Sequence, residues 1–439
     1  MPNNKRVHRS WCLYDWANSA YNLVITSTVF PAYYIAITTT ADKGDKVTFF
    51  GKEIINSSLL NYAIAFAYLV IAFLSPILSS IADIKGNKKQ FMQLFSTFGA
   101  VACMGLFFFR PGYTELGIFL AVAAAIGYCG SLVFYNAYLP EIALPEEQNQ
   151  LSARGYTYGY IGSVLLQVLC LVFLFYGFSD DTLGARLSFL GVGIWWLVFA
   201  QISFRGLPDN RDRTAEAPAS RHLFTSGFME LRSVWHDIRR RKLLGRYLLA
   251  FFFYSMGVQT VMLAAAEFGK KEVVKEVDGR WIPLGTEDLV IAILLIQLVA
   301  ILGAVFMARL GNRIGNIRVL IGAVVIWIGI CITAYYTRVM YEFYMLAVVV
   351  GLVMGGIQSM SRSTYSRLIP QDTEDTTSYF SFYDVTEKIA IVIGMFSFAF
   401  VEHMTGDMRK SIFALAGFFI IGLFLLLLTL RAARHQASS

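Results

Sequence analysis

The chain has 439 residues, 56% of them hydrophobic and 15% charged, with a formal net charge of +7. A soluble protein of this length cannot hide that much apolar surface, so a soluble enzyme or binding domain is excluded. The apolar residues gather in runs near the ~20 residues that cross a bilayer as a helix, without the alternation of barrel strands.

Twelve such runs are predicted, at roughly 14–39, 57–82, 90–109, 116–139, 155–178, 185–204, 245–266, 288–308, 318–337, 342–368, 378–401 and 411–430. With the N-terminus inside, inner segments carry 24 Lys and Arg and outer segments 12, while Lys388 lies within a helix. That two-to-one bias places both termini in the cytoplasm. It also accounts for the positive charge without nucleic acid, which needs basic residues gathered in one patch. The connection at 140–153 is acidic (Glu141, Glu146, Glu147), but acidic residues weigh little in this rule. The first run exceeds a signal-peptide core and is expected to be retained. Cys12, Cys103, Cys129, Cys170 and Cys331 fall in or beside apolar runs and read as reduced core residues, with no metal-like spacing.

In chain order, the first run opens Trp11-Cys12-Leu13-Tyr14-Asp15-Trp16-Ala17-Asn18-Ser19-Ala20-Tyr21. Asp15 has two readings: an interfacial charge one turn into the helix, complementing its dipole, or a working group inside the bundle. Asn18 and Asn22, four apart, share a face and can line a cavity. The second run ends in Ala82-Asp83-Ile84-Lys85-Gly86-Asn87-Lys88-Lys89. Gly86 permits a tight turn, Asp83 can cap a helix or pair with a cation, and Lys88 and Lys89 hold the loop inside. The fourth run ends in Tyr135-Asn136-Ala137-Tyr138-Leu139-Pro140, followed by Glu141.

The long inner segment at 205–243 separates six runs from six, giving expected domains 1–204 and 244–439 around a linker. Its start is polar, with Pro208 and Pro218. In its second part Phe224, Phe228, Leu231, Trp235 and Ile238 recur at helical spacing among arginines, which predicts an amphipathic helix on the inner leaflet. Such a helix is either a tether or a regulatory site. The outer segment at 267–287 reads as a small cap.

In the second half, Gln259 on the seventh helix is the expected counterpart of Asn18 and Asn22. The eighth run ends in Gly311-Asn312-Arg313-Ile314-Gly315-Asn316-Ile317-Arg318, where Asn312 replaces Asp83 and can hydrogen-bond but not form an ion pair. The tenth carries Gln358, Ser361, Arg362 and Ser363 and ends in Tyr365-Ser366-Arg367-Leu368-Ile369-Pro370. By helical rise Arg362 lies about 11 Å from its inner end. Arg362 and Arg367 are expected to find gate partners in Glu141 and Asp83. On the eleventh, Asp384 and Lys388 are four apart and can pair, with Glu387 directed elsewhere. Lys388 sits roughly 15 Å from the inner end, near the midplane. It is either a structural partner of Asp384 or a site for a substrate carboxylate.

Gly86 and Gly315 are 229 residues apart, and Pro140 and Pro370 are 230 apart. Two landmarks with nearly one offset imply two copies of one architecture, the mark of many solute transporters. Glycines 127, 130, 155, 159, 162, 351, 355 and 356 let helices approach closely.

The Asp83–Lys89 segment resembles the loop signature of the major facilitator superfamily, which latches the two halves on the cytoplasmic side. Trp11–Tyr21 with Phe30-Pro31-Ala32-Tyr33-Tyr34, Phe134–Glu141, Gly257-Val258-Gln259-Thr260 and Gly356–Ser363 resemble, in order, the vacuolar amino-acid effluxer family of that superfamily, which has many bacterial members. The resemblance implies an all-α polytopic fold of twelve transmembrane helices in two pseudo-symmetric six-helix halves. It further implies efflux of an amino acid or related metabolite by alternating access. One departure stands out: the acidic residue expected of many relatives is Met256 here, so no proton or cation site is carried over to that position.

No G-x-x-x-x-G-K-[ST], G-x-S-x-G, H-E-x-x-H or selectivity-filter stretch occurs, so an ATP-driven pump, a hydrolase and a channel have no support. No cofactor is expected. The sequence predicts a monomeric secondary transporter in a bacterial inner membrane, taking a small solute and a proton or cation among membrane lipid. Asp15, Asp384 and Glu387 are its candidate titrating groups. Charges of both signs favour a zwitterion; a sugar, peptide or lipid-like solute is the alternative, as is a non-transporting sensor or scaffold.

Overall fold

The computed structural model describes residues 5–40, 42, 44–176, 178, 180–209, 223–370, 373 and 375–438. α1 (Lys5–Tyr21) continues through a π-helical segment (Asn22–Thr28) into α2 (Val29–Thr38). A hairpin of β1 (Lys46–Phe49) and β2 (Lys52–Ile55) leads to α3 (Asn56–Lys85), α4 (Lys88–Gly105), α5 (Thr114–Ala137), the short α6 (Leu139–Ile142), α7 (Pro145–Phe175) and α8 (Leu183–Gly206). α9 (Leu223–Arg240) precedes α10 (Lys242–Glu272), which is followed by a hairpin of β3 (Val274–Val277) and β4 (Arg280–Pro283). α11 (Thr286–Ile314), α12 (Asn316–Tyr336), α13 (Met340–Leu368), α14 (Thr376–Thr405) and α15 (Met408–Ser438) complete the chain.

Among the described residues, eleven helical stretches are long and apolar enough to cross a membrane, where the sequence predicts twelve. The eleven do not include α14, a helix of 30 residues that holds Asp384, Glu387 and Lys388. Helices suit this solvent because every interior backbone group is satisfied within the segment.

Two boundaries differ from expectation for a local reason. The first helix starts at Lys5, not near residue 14, so Asp15 lies about three turns in. The segment expected as the 140–153 loop is largely helical, because α7 starts at Pro145. Proline tolerates the first helical position, and Glu146 and Glu147 complement the dipole of the first turn.

The described residues pack as two compact units, one drawn from 5–138 and 158–229, the other from 139–157 and 230–438. The expected halves end at 204 and begin at 244; the packing also places 139–157 with the second unit. In the first unit, α4 packs on α5 and α8, and α1 on α8. In the second, α11 packs on α13, and α10 on α15. A Cβ added to Gly351 would lie 2.6 Å from the Ile296 carbonyl oxygen, so glycine is what permits that α11–α13 approach.

The units repeat two devices. The α2–α3 and α10–α11 connections both contain an antiparallel hairpin, paired Lys46 to Ile55 and Val274 to Pro283. Both turn through two residues at positive φ, Phe50-Gly51 and Asp278-Gly279, the geometry that follows strand twist. The Asp-Gly pair was a readable hairpin signal inside the segment expected only as a cap. The second device is a buried arginine. Arg186 donates through Nε to the Phe107 carbonyl at 2.6 Å and through Nη1 to Asp180 at 3.2 Å. Arg409 donates to the carbonyls of Tyr335 (3.0 Å), Thr337 (2.6 Å) and Glu272 (2.6 Å), and to the Glu272 carboxylate at 2.7 Å. Each ties down carbonyls at a helix end, where no intrahelical donor remains.

Candidate functional site

α14 brings three charges together inside the second unit. Lys388 Nζ lies 3.3 Å from Asp384 Oδ1 and 3.1 Å from Glu387 Oε2. Glu387 was expected to point away from Lys388, and this is corrected. The spacing rule orients Cβ atoms, but a four-carbon stem and a half-buried glutamate reach each other around the helix. Gln259 of α10 donates to Glu387 Oε1 at 2.9 Å, so its described partner is in its own unit. Asp384 and Lys388 are both buried. Asp384 Oδ2 and, on α10, Thr260 Oγ1 are buried with no described hydrogen-bond partner.

Arg362 of α13 is buried and bonded to the start of α7. It donates from Nε to Ser152 Oγ at 3.0 Å and from Nη2 to the Ser152 carbonyl at 2.9 Å, and it stacks over the Tyr156 ring at 4.3 Å. Ser152 Oγ donates to the Ser359 carbonyl at 2.8 Å. Asn149 donates to Asn312 Oδ1 at 2.7 Å and exchanges bonds with Asn316 at 2.6 and 2.8 Å. Arg367 reaches Asn316 Oδ1 at 3.4 Å, and Glu141 accepts a 2.6 Å bond from Thr376 Oγ1. The arginine partners described here are serine and asparagine oxygens of the second unit. Asn149, Ser152 and Tyr156 escaped the sequence reading, although their 3–4 spacing marks one polar helix face.

Beside Arg362, Tyr254 and Ser361 share a 2.7 Å hydroxyl bond, and Tyr247 donates to the Ser361 carbonyl at 2.9 Å. Gln358 lies 3.4 Å from Met262 Sδ.

In the first unit, Asp15 is buried and accepts a 2.7 Å bond from Tyr135 OH. Trp11 stacks on the same tyrosine at 4.5 Å and donates to its carbonyl at 3.0 Å. Asp15 thus lies ten residues from the start of its helix, beyond the first turn where the dipole acts, and its carboxylate is buried. Asn18 is buried, with Nδ2 lacking a described partner, and Asn22 opens the π-helical segment. There Thr28 Oγ1 bonds the Leu23 carbonyl and Gln167 Oε1, both at 2.8 Å. Such π-segments recur at functional sites.

The duplicated loops also have definite geometry. Gly86 caps α3 at φ +64° and Gly315 caps α11 at φ +91°, where a side chain would be strained. Asp83 and Lys88 are buried, with Lys88 4.3 Å over the Tyr138 ring. Lys89 bonds the Leu207 carbonyl at 3.0 Å and Asp209 at 2.6 Å. Asn136 is half-buried at the end of α5, and Asn312 and Arg313 are exposed.

α9 docks on α14. Trp235 stacks on Phe382 at 5.6 Å, Val234 and Ile238 are buried, and Tyr379 OH donates to Asp237, which also pairs with Arg241 at 2.6 Å. Burial raises the Asp237 carboxyl, but the Tyr379 and Arg241 bonds outweigh it and hold it below the usual carboxylate range. The side chains of Phe224, Phe228 and Leu231 lie outside the described residues.

The family described as "Vacuole effluxer Atg22 like" matches residues 3–438. The MFS-type transporter YxiO of Bacillus subtilis (strain 168) is 30% identical over 426 residues, covering 96% of this chain and 94% of its own. Autophagy-related protein 22 of Kluyveromyces lactis is 24% identical over 390 residues, covering 82% and 76%. Among solved structures, the major facilitator transporter FucP in the outward conformation gives a TM-score of 0.68 at 14% identity, covering 96% of this chain and 98% of that one. The proton:xylose symporter XylE also gives 0.68 at 14%, covering 96% and 94%. At that identity the likeness shows the fold, which is that of the major facilitator superfamily. These relatives and neighbours are transporters, not enzymes.

Proposed function

This chain belongs to the vacuole effluxer Atg22-like family of integral membrane transporters, and from that premise we propose that it exports a zwitterionic solute of the amino-acid class by alternating access. The observation that carries this reading is the Asp384–Glu387–Lys388 cluster with Gln259. A charge at the centre of a membrane helix costs roughly 2.5–3.5 kcal/mol on insertion scales, so three on one helix call for a function. A zwitterion offers a carboxylate to Lys388 and an amine to Glu387 or Asp384. Arg362, Gln358, Asp15, Asn18 and Asn22 are the further solute or coupling residues of this proposal. Asp83, Gly86, Lys88, Lys89, Asn136, Glu141, Asn312, Arg313, Gly315 and Arg367 belong to the cytoplasmic gate. A proton or cation gradient drives export, and the membrane is a bacterial inner membrane with both termini cytoplasmic.

Counterflow in proteoliposomes tests this, with a mixture of amino acids, dipeptides and sugars followed by mass spectrometry. Exchange of amino acids that disappears in Lys388→Ala supports the proposal. Exchange of sugars alone, or unchanged amino-acid exchange in Lys388→Ala, refutes it.

A further inference from the structure

We propose that a cavity of the second unit, ringed by Arg318, Arg367 and Arg434, binds the headgroup of an anionic membrane phospholipid. The cavity measures about 570 Å³ and opens where α11 and α13 end, α12 begins and the last turns of α15 pass. Successive membrane helices alternate in direction, so these four ends lie on one membrane face. It is the face to which the Lys and Arg bias assigns the excess of positive charge.

The lining has the chemistry of an amphiphile site. Three guanidiniums stand against one carboxylate, Glu146. Arg318 and Arg367 are exposed at the rim. Arg318 Nη1 bonds the Ile314 carbonyl at 3.1 Å and Arg367 Nη1 reaches Asn316 at 3.4 Å. A guanidinium carries five N–H donors, so these bonds aim the groups and leave donors for a phosphate. The first turn of α12, from Asn316, adds the positive end of its dipole. The same wall carries apolar side chains, among them Ile317, Leu368 and Leu430. A free phosphate has no use for that wall, whereas a lipid's glycerol and upper acyl carbons do. Basic pockets among transmembrane helices on the cytoplasmic side are suited to anionic headgroups.

The occupant also sits beside a structural tie. Asn316 lines the cavity and is bonded to Asn149 in α7, and Glu146 belongs to the first turn of the same helix. A bound headgroup therefore meets the start of α7 directly.

The test uses the full chain, purified and delipidated, with native mass spectrometry counting added phosphatidylglycerol or phosphatidylcholine. Phosphatidylglycerol should bind in preference. Arg318→Gln/Arg434→Gln should weaken it roughly thirtyfold, from two exposed cationic contacts. Glu146→Gln removes the opposing carboxylate and should tighten binding, a gain that misfolding cannot mimic. Equal binding of both lipids overturns the proposal, as does phosphatidylglycerol binding unchanged in the double arginine variant or weakened in Glu146→Gln. Displacement of the lipid by inorganic phosphate would make this a soluble-anion site and overturn the assignment to lipid.

Discussion

Replacing Lys388 by Met removes the one cation that, among the described residues, pairs with Asp384, and its cost follows from the burial of the partners. Side-chain exposure is 5% for Lys388, 4% for Asp384 and 22% for Glu387. Glu387 keeps its bond from Gln259 and some contact with solvent, but Asp384 Oδ2 has no described donor. The variant therefore strands Asp384, and breaking a buried pair from one side costs about 3–5 kcal/mol. Adding Asp384→Asn removes the stranded charge, so Lys388→Met/Asp384→Asn should recover about 2–3 kcal/mol of that loss as coupling between the two sites. Adding Glu387→Gln instead should recover little. Denaturation in detergent, followed by circular dichroism on monodisperse samples, gives the cycle. A loss of less than about 1 kcal/mol in Lys388→Met, or stability restored by Glu387→Gln and not by Asp384→Asn, would show that Asp384 is not stranded.

Arg409→Lys keeps the charge but cannot reproduce a fork that holds three carbonyls and a carboxylate, so it should lower the thermal midpoint, by about 2–3 kcal/mol of stability; an unchanged midpoint would mean water replaces the fork. Asp237 is held below its unfolded value near 3.9, so its contribution to α9 docking is fully present above that pH and fades as pH falls through its lowered folded value. Fluorescence of Trp235, taken as the difference from Trp235→Phe, should shift in that acid window, and Asp237→Asn should abolish the transition; a transition near pH 7 would contradict it. Gly351→Ala places a methyl against the Ile296 carbonyl oxygen and should cost about 1–3 kcal/mol by forcing α11 from α13; a neutral effect in the same denaturation assay would show that the helices separate freely.

The sequence by itself determined that this is a membrane-spanning helical protein with repeated landmarks. Backbone groups in hydrocarbon must be satisfied within the segment, so apolar runs become helices whatever they pack against. Gly86 and Gly315 were legible for a similarly local reason: a helix that ends at positive φ favours glycine, whatever packs around it. The pairing of Asp384 with Lys388 follows from helical spacing alone. Tertiary packing decided the rest. The bonds of Arg362 to Ser152 join residues 210 apart, and hydropathy carries no information about which distant polar group an arginine meets. The placement of 139–157 with the second unit, the contact of Glu387 with both Lys388 and Gln259, and the seat of Asp15 under Tyr135 are of the same kind. Long side chains choose partners by reach and burial in three dimensions, and only the folded chain supplies both.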